Sequence, residues 1–135
     1  MKVEGQCHCG SIVYEADVEP GTIMVCHCAD CQMLSGSAFR MNIPAAAATF
    51  RILKGTPKKY LKVAASGARR LHTFCDACGG PVYSSAAENP RSYSLRVGAL
   101  KQRYELGQPV RQIWTKRRMP WLPHLDGTEE FEGQP

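Results

Sequence analysis

The chain has 135 residues, 44% of them hydrophobic and 21% charged, with a net charge of +5. One domain over residues 1–135 is expected, and this composition excludes a disordered or fibrous chain. Neither the signal-peptide apolar stretch nor the roughly 20 apolar residues of a membrane span occurs, so the expected compartment is the cytoplasm.

In chain order, Glu4-Gly5-Gln6-Cys7-His8-Cys9-Gly10 is a glycine-flanked knuckle, and the β-branched and aromatic run Ser11 to Ala16 predicts a strand. Glu19-Pro20-Gly21 is a turn, after which Thr22 to Val25 predicts a strand that delivers Cys26. A short helix is expected over Ala29–Leu34, with Asp30 near its start and Gly36 stopping it. Phe39–Ile43 and Thr49–Leu53 predict strands around Pro44 and the alanines Ala45 to Ala48, which suit a loop or a helical turn. Further strands are expected at Lys58–Val63, Arg69–Phe74, Pro81–Ser85, Ser92–Val97 and Val110–Thr115. Many short strands with little helical periodicity predict a mostly β, barrel-like sheet with one short helix after the triple-cysteine loop.

The seven cysteines are an odd number in a chain expected in a reducing compartment, which favours metal ligation over disulfides. Cys75-x-x-Cys78-Gly79 supplies half a tetrahedral site, and Cys7-x-Cys9-Gly10 repeats the same pair-then-glycine order. Together they predict a structural zinc that ties the first strand to the middle of the chain, with a redox Cys-x-x-Cys or unligated core thiols as the alternative. Cys26-His27-Cys28-Ala29-Asp30-Cys31 then remains as a three-thiol set. It can be closed by His27, His72 or His124, or left open for water or substrate. His8 and His27 each lie between two cysteines and point away from them on an extended backbone, and His72 suits a hydrogen-bonded place in its strand. The open arrangement is preferred on those grounds. An open tris-thiolate zinc favours an incoming thiolate over hydroxide, because the metal is borderline soft and already carries three anionic ligands.

Between Cys31 and Cys75 lie eight basic residues, Arg40, Arg51, Lys54, Lys58, Lys59, Lys62, Arg69 and Arg70, and no acidic one. Such a span suits a thiol that carries carboxylates, and charge alone offers Arg40, Arg69 and Arg70 as its partners. No phosphate-binding glycine loop or serine-nucleophile elbow is present. The competing class is a non-enzymatic zinc module that binds an acidic partner or nucleic acid, with Tyr60, Phe74 and Trp114 as aromatics among the charges. It leaves the triple-cysteine loop without a role.

Three segments carry a family pattern: Gly5-Gln6-Cys7-His8-Cys9-Gly10, the triple-cysteine loop with Ser35-Gly36-Ser37-Ala38-Phe39, and Phe74-Cys75-Asp76-Ala77-Cys78-Gly79. With Ile113-Trp114-Thr115 and Pro120-Trp121, they resemble the glutathione-dependent formaldehyde-activating enzymes, a family that includes centromere protein V. The resemblance implies a small zinc-stapled β fold of the Mss4-like type. It also implies a structural zinc on Cys7, Cys9, Cys75 and Cys78 and a reactive, catalytic zinc on Cys26, Cys28 and Cys31. The implied activity is that of a carbon–sulfur lyase joining glutathione to formaldehyde. Gly80 departs from the threonine that often follows the Cys-x-x-Cys-Gly turn.

Overall fold

A computed structural model describes residues 1–64 and 66–135. Among these residues the architecture is mostly β with one α-helix, in two sheets. Strands β1 (Lys2–Gln6), β2 (Val13–Asp17) and β5 (Arg51–Lys54) form an antiparallel sheet in the order β1-β2-β5. The larger sheet is built from β3 (Met24–Cys26), β4 (Arg40–Ala46), β6 (Lys58–Val63), β7 (Arg69–Phe74), β8 (Pro81–Ala86), β9 (Ser92–Arg96), β10 (Arg111–Ile113) and β11 (Glu129–Glu130). Its order is β11-β10-β3-β4-β9-β8-β7-β6, antiparallel except where β10 runs parallel to both β3 and β11.

Several elements differ from expectation for local reasons. The first cysteine knuckle grows out of β1, whose alternation buries Val3 and Gly5; two glycine-flanked residues obscure that pattern in the sequence. β5 pairs with β2 instead of joining its neighbours in the chain, which splits the expected single sheet into two. β4 continues through Pro44 to Ala46 before a 3-10 turn at Ala47–Thr49. Pro44 is tolerated because β3 leaves β4 at Asn42 and only a single bridge, from Ala45 to Val18, follows on that side, so the proline breaks no continuous ladder there. β10 ends at Ile113, where Trp114 turns into left-handed backbone at φ 57°.

Period-two alternation gives the larger sheet two unlike faces. Ile43, Leu95 and Tyr83 are cross-strand neighbours on one face and pack into the hydrophobic core with Val3, Tyr14, Ile23, Val82 and Leu100. Tyr83 and Tyr93 stack with centroids 4.3 Å apart, and Phe50 meets both edge-on while leaning on Tyr14 of the smaller sheet. The cysteine clusters lie at two other places, both where strands end in loops.

Candidate metal centres

The first cluster joins two distant turns. Gly10 and Gly79 follow their cysteine pairs at φ 78° and 75°, the left-handed conformation that lets each knuckle reverse. Their N–H groups bond back to the Cys7 and Cys75 carbonyls at 3.1 and 2.8 Å. This brings the sulfurs of Cys7, Cys9, Cys75 and Cys78 within 4.8 Å of one another. Four sulfurs about 2.3 Å from a tetrahedral zinc ion lie about 3.8 Å apart, and the Cys7–Cys9 and Cys9–Cys75 sulfurs are separated by 3.7 and 3.8 Å. The donor set and its spacing therefore fit a zinc ion.

Backbone and hydroxyl groups also favour thiolates there. The Ile12 N–H donates to Cys7 Sγ at 3.3 Å and the Gly80 N–H to Cys78 Sγ at 3.4 Å. Ser11 Oγ sits 2.8 Å from Cys9 Sγ and 3.2 Å from Cys75 Sγ. Burial alone would raise the Cys7 thiol, but the Ile12 N–H, Ser11 and Cys75 outweigh it and bring it down to about 6. Gly80 also has a steric reason to lack a side chain, since a Cβ would lie 3.2 Å from Cys78 Sγ and 3.3 Å from Cys7 Cβ.

The second cluster is local. β3 ends at Cys26, and helix α1 (Ala29–Ser35) begins at Cys28, whose sulfur accepts the Cys31 N–H at 3.3 Å as the helix N-cap. One helical turn separates Cys28 from Cys31, so both return toward Cys26, and the three sulfurs lie within 4.8 Å of one another. Hydrogen bonds from Cys26 and Cys31 pull the Cys28 thiol well below its usual range, and sharing with Cys28 pushes the Cys26 thiol up. The three sulfurs thus stand close enough to share one cation, which would take the place of their protons. A metal with three protein ligands keeps a coordination position for an outside ligand.

Among the described residues no histidine joins either group. His27 is fully buried, its Nε2 2.8 Å from Gln112 Oε1 and its ring edge-on to Phe39. Gln112 in turn donates to Thr128 Oγ1. His27 therefore pins the cysteine loop to β10 with its ring away from the sulfurs. His72, on β7, accepts from Arg40 of β4 and Arg96 of β9, a hydrogen-bonded place as its alternation suggests, whereas His124 faces Asp126 and Glu130 at the surface.

A model of the family described as glutathione-dependent formaldehyde-activating enzyme matches residues 2–117. The chain belongs to this family. The crystal structure of a Rhodobacter sphaeroides protein, a structural-genomics target, superposes with a TM-score of 0.61 at 24% identity, covering 78% of this chain and 96% of that one. That likeness concerns the fold. No curated protein matches the chain.

In this family member the three arginines suggested by charge alone separate. Arg40 is buried beside the triple-cysteine loop, as the cross-strand partner of Cys26. Arg70 lies partly covered on β7, and Arg69, its neighbour on the opposite face, pairs with Glu88 at 3.0 Å. Sequence reading missed Ser11, Gln112 and Arg96. Ser11 carries a weak local signal, a hydroxyl two residues after a cysteine knuckle. Gln112 and Arg96 carry none, because each reaches its partner across strands remote in sequence.

Proposed function

We propose that the chain is a zinc-dependent enzyme of the carbon–sulfur lyase type that joins glutathione, or a similar small thiol, to formaldehyde. Cys7, Cys9, Cys75 and Cys78 would hold a structural zinc ion, and Cys26, Cys28 and Cys31 a second, reactive one. A zinc ion on three thiolates supplies one thing when bound, a fourth position at which an incoming thiol loses its proton near neutral pH. In the reaction the thiol sulfur forms a bond to the carbonyl carbon, the C=O π pair moves to oxygen, and that oxygen takes up a proton to give the S-hydroxymethyl product.

The protein's own residues do the positioning. The Cys28 cap and the His27–Gln112 bond fix the loop that carries the three sulfurs. A zinc ion on Cys7, Cys9, Cys75 and Cys78 would tie the smaller sheet to β7 and β8, the staple expected of one domain over 1–135. All seven cysteines are unpaired, which suits the reducing cytoplasm as the working compartment. Among the described residues no helix is long and apolar enough to cross a membrane.

The observation that carries this reading is the isolated three-sulfur cluster, with no histidine among the described residues to close it, in a member of this family. It is tested by calorimetric titration of glutathione and S-methylglutathione into protein of measured zinc content. Binding is expected for the free thiol alone, and only when two zinc ions are present per chain. Fully loaded protein that ignores glutathione would overturn it.

A further inference from the structure

We propose that the polar face of the larger sheet, beside the triple-cysteine loop, seats a carboxylate of the thiol substrate on the guanidinium groups of Arg40, Arg96 and Arg70. This rests on the thiol reading above and deepens it by assigning the residues that would take a substrate carboxylate.

Strand register places these groups together. Cys26 is opposite Arg40; two residues along β4, Asn42 is opposite Arg96; Ser94 is opposite Ser84, and Ser84 opposite His72. Two residues from His72, Arg70 is opposite Lys62. Cross-strand partners and i, i+2 neighbours share a face, so one continuous face runs from the reactive cysteines to β6. The sheet curls along this path. Lys62 Nζ on β6 lies 2.7 Å from Asp30 Oδ2 in the first turn of α1, although four strands separate β6 from β3. Arg40, Asn42, Ser84 and Arg96 are consequently buried, at 7%, 7%, 5% and 6% exposure.

The charges on this face do not balance within the protein. Lys62 has Asp30, but among the described residues no carboxylate comes within ion-pair distance of Arg40, Arg70 or Arg96. Their partners are neutral: Arg96 Nη1 donates to Asn42 Oδ1 at 2.5 Å and to the Ser94 carbonyl at 3.3 Å, and Arg40 and Arg96 both donate to one imidazole nitrogen, His72 Nδ1, over long distances of 3.5 and 3.4 Å. Arg96 Nε is buried with no partner. His72 contributes an acceptor and no charge, since burial, followed by Arg96, Arg40, Lys62 and Arg70, holds its ring down to about 4.

Buried cations without counter-charges are costly. The cysteines would answer part of the cost: three thiolates holding a divalent ion would carry one net negative charge, and a substrate thiolate would make it two. Three guanidiniums then still exceed the negative charge by one. A single carboxylate on the same small molecule restores balance, and the fork geometry of arginine is suited to it.

The test uses the zinc-loaded full chain and three probes: 3-mercaptopropionate, 2-mercaptoethanol and 3-(methylthio)propionate. By calorimetry the carboxylate thiol is expected to bind on the order of tenfold or more tighter than the neutral thiol, the usual yield of a charge-assisted contact. Arg40→Gln and Arg70→Gln should each cut that preference severalfold at unchanged zinc content, with Arg40→Lys recovering part of it. Arg70 is the less buried, so its variant serves if Arg40→Gln does not fold. Equal affinity for the two thiols overturns the carboxylate seat and leaves the thiol reading standing. A preference that survives both substitutions overturns it as well, as does loss of zinc in Arg40→Gln with the preference intact, which would make Arg40 only a counter-charge to the cysteines. Arginine-dependent binding of the methylthio acid without binding of either thiol keeps the anion seat and overturns the thiol reading. If none of the three probes binds, both fail.

Discussion

With zinc on the four-cysteine group as proposed, replacing Cys78 by serine would remove one corner of a cross-link between two parts of the chain that are far apart in sequence. Cys9 and Cys75 are 66 residues apart, and closing a loop of that length by a covalent-type link lowers the entropy of the unfolded chain by about 4 kcal/mol at 25 °C. A domain of this size is stable by only about 5–15 kcal/mol in total, so the loss is a large fraction and corresponds to a melting point about 15 °C lower. Cys31→Ser is a different kind of change. The three cysteines of that group span six residues, and α1 buries none of its side chains, so little long-range order depends on them. It should cost about 1 kcal/mol, in the range of ordinary single substitutions. Scanning calorimetry and metal analysis on both variants check this. Cys78→Ser should melt far lower or fail to fold, whereas Cys31→Ser should melt within a few degrees of the parent while holding less zinc. If Cys31→Ser unfolds and Cys78→Ser melts normally, the assignment of structural and reactive roles is reversed.

His27→Ala empties a fully buried position and leaves the Gln112 carbonyl without its 2.8 Å partner. It should cost about 3 kcal/mol in urea unfolding and lower zinc occupancy by less than one ion per chain, sparing the four-cysteine group; unaltered metal content and stability would show that the loop does not depend on this anchor. His72 makes a pH prediction. It is held neutral in the fold, down to about 4, by burial and by Arg96, Arg40, Lys62 and Arg70, while the unfolded imidazole titrates near 6.5. As pH falls the unfolded chain takes up the proton first, so stability is intact above about pH 6.5 and declines toward pH 4. After allowance for solvent screening of a partly exposed ring, the decline is about 2 kcal/mol. His72→Gln should remove that component, seen as a shallower acid limb in urea midpoints measured between pH 7.5 and 4.5. Coincident limbs for parent and variant would refute the account.

The parts of the molecule legible in the sequence are those written in short-range chemistry. The helix runs over Ala29–Ser35 with Gly36 as its C-cap, because an N-terminal cap and a stopping glycine are local signals. The separation of the cysteines into a group of four and a group of three follows from their spacing and the glycines beside them, and the sulfurs gather in those two groups. Most strands are similarly visible, since each is a β-branched or aromatic run between turn residues.

Pairing is another matter. Nothing near Arg51–Lys54 signals that it leaves its neighbours to pair with Val13–Asp17, and Glu129–Glu130 is a strand because β10 lies alongside it. The face shared by Arg40, Arg96, His72 and Arg70 depends on the register of β4, β9, β8 and β7, and a slip of one residue in any pair would turn a side chain to the opposite side. Composition therefore announces a basic span, whereas register selects which charges meet the triple-cysteine loop: Arg69 turns outward to Glu88, and Arg96, from beyond that span, turns inward. Cysteine spacing is a property of a few adjacent residues; the charge beside the cysteines is a property of strands brought together from across the chain.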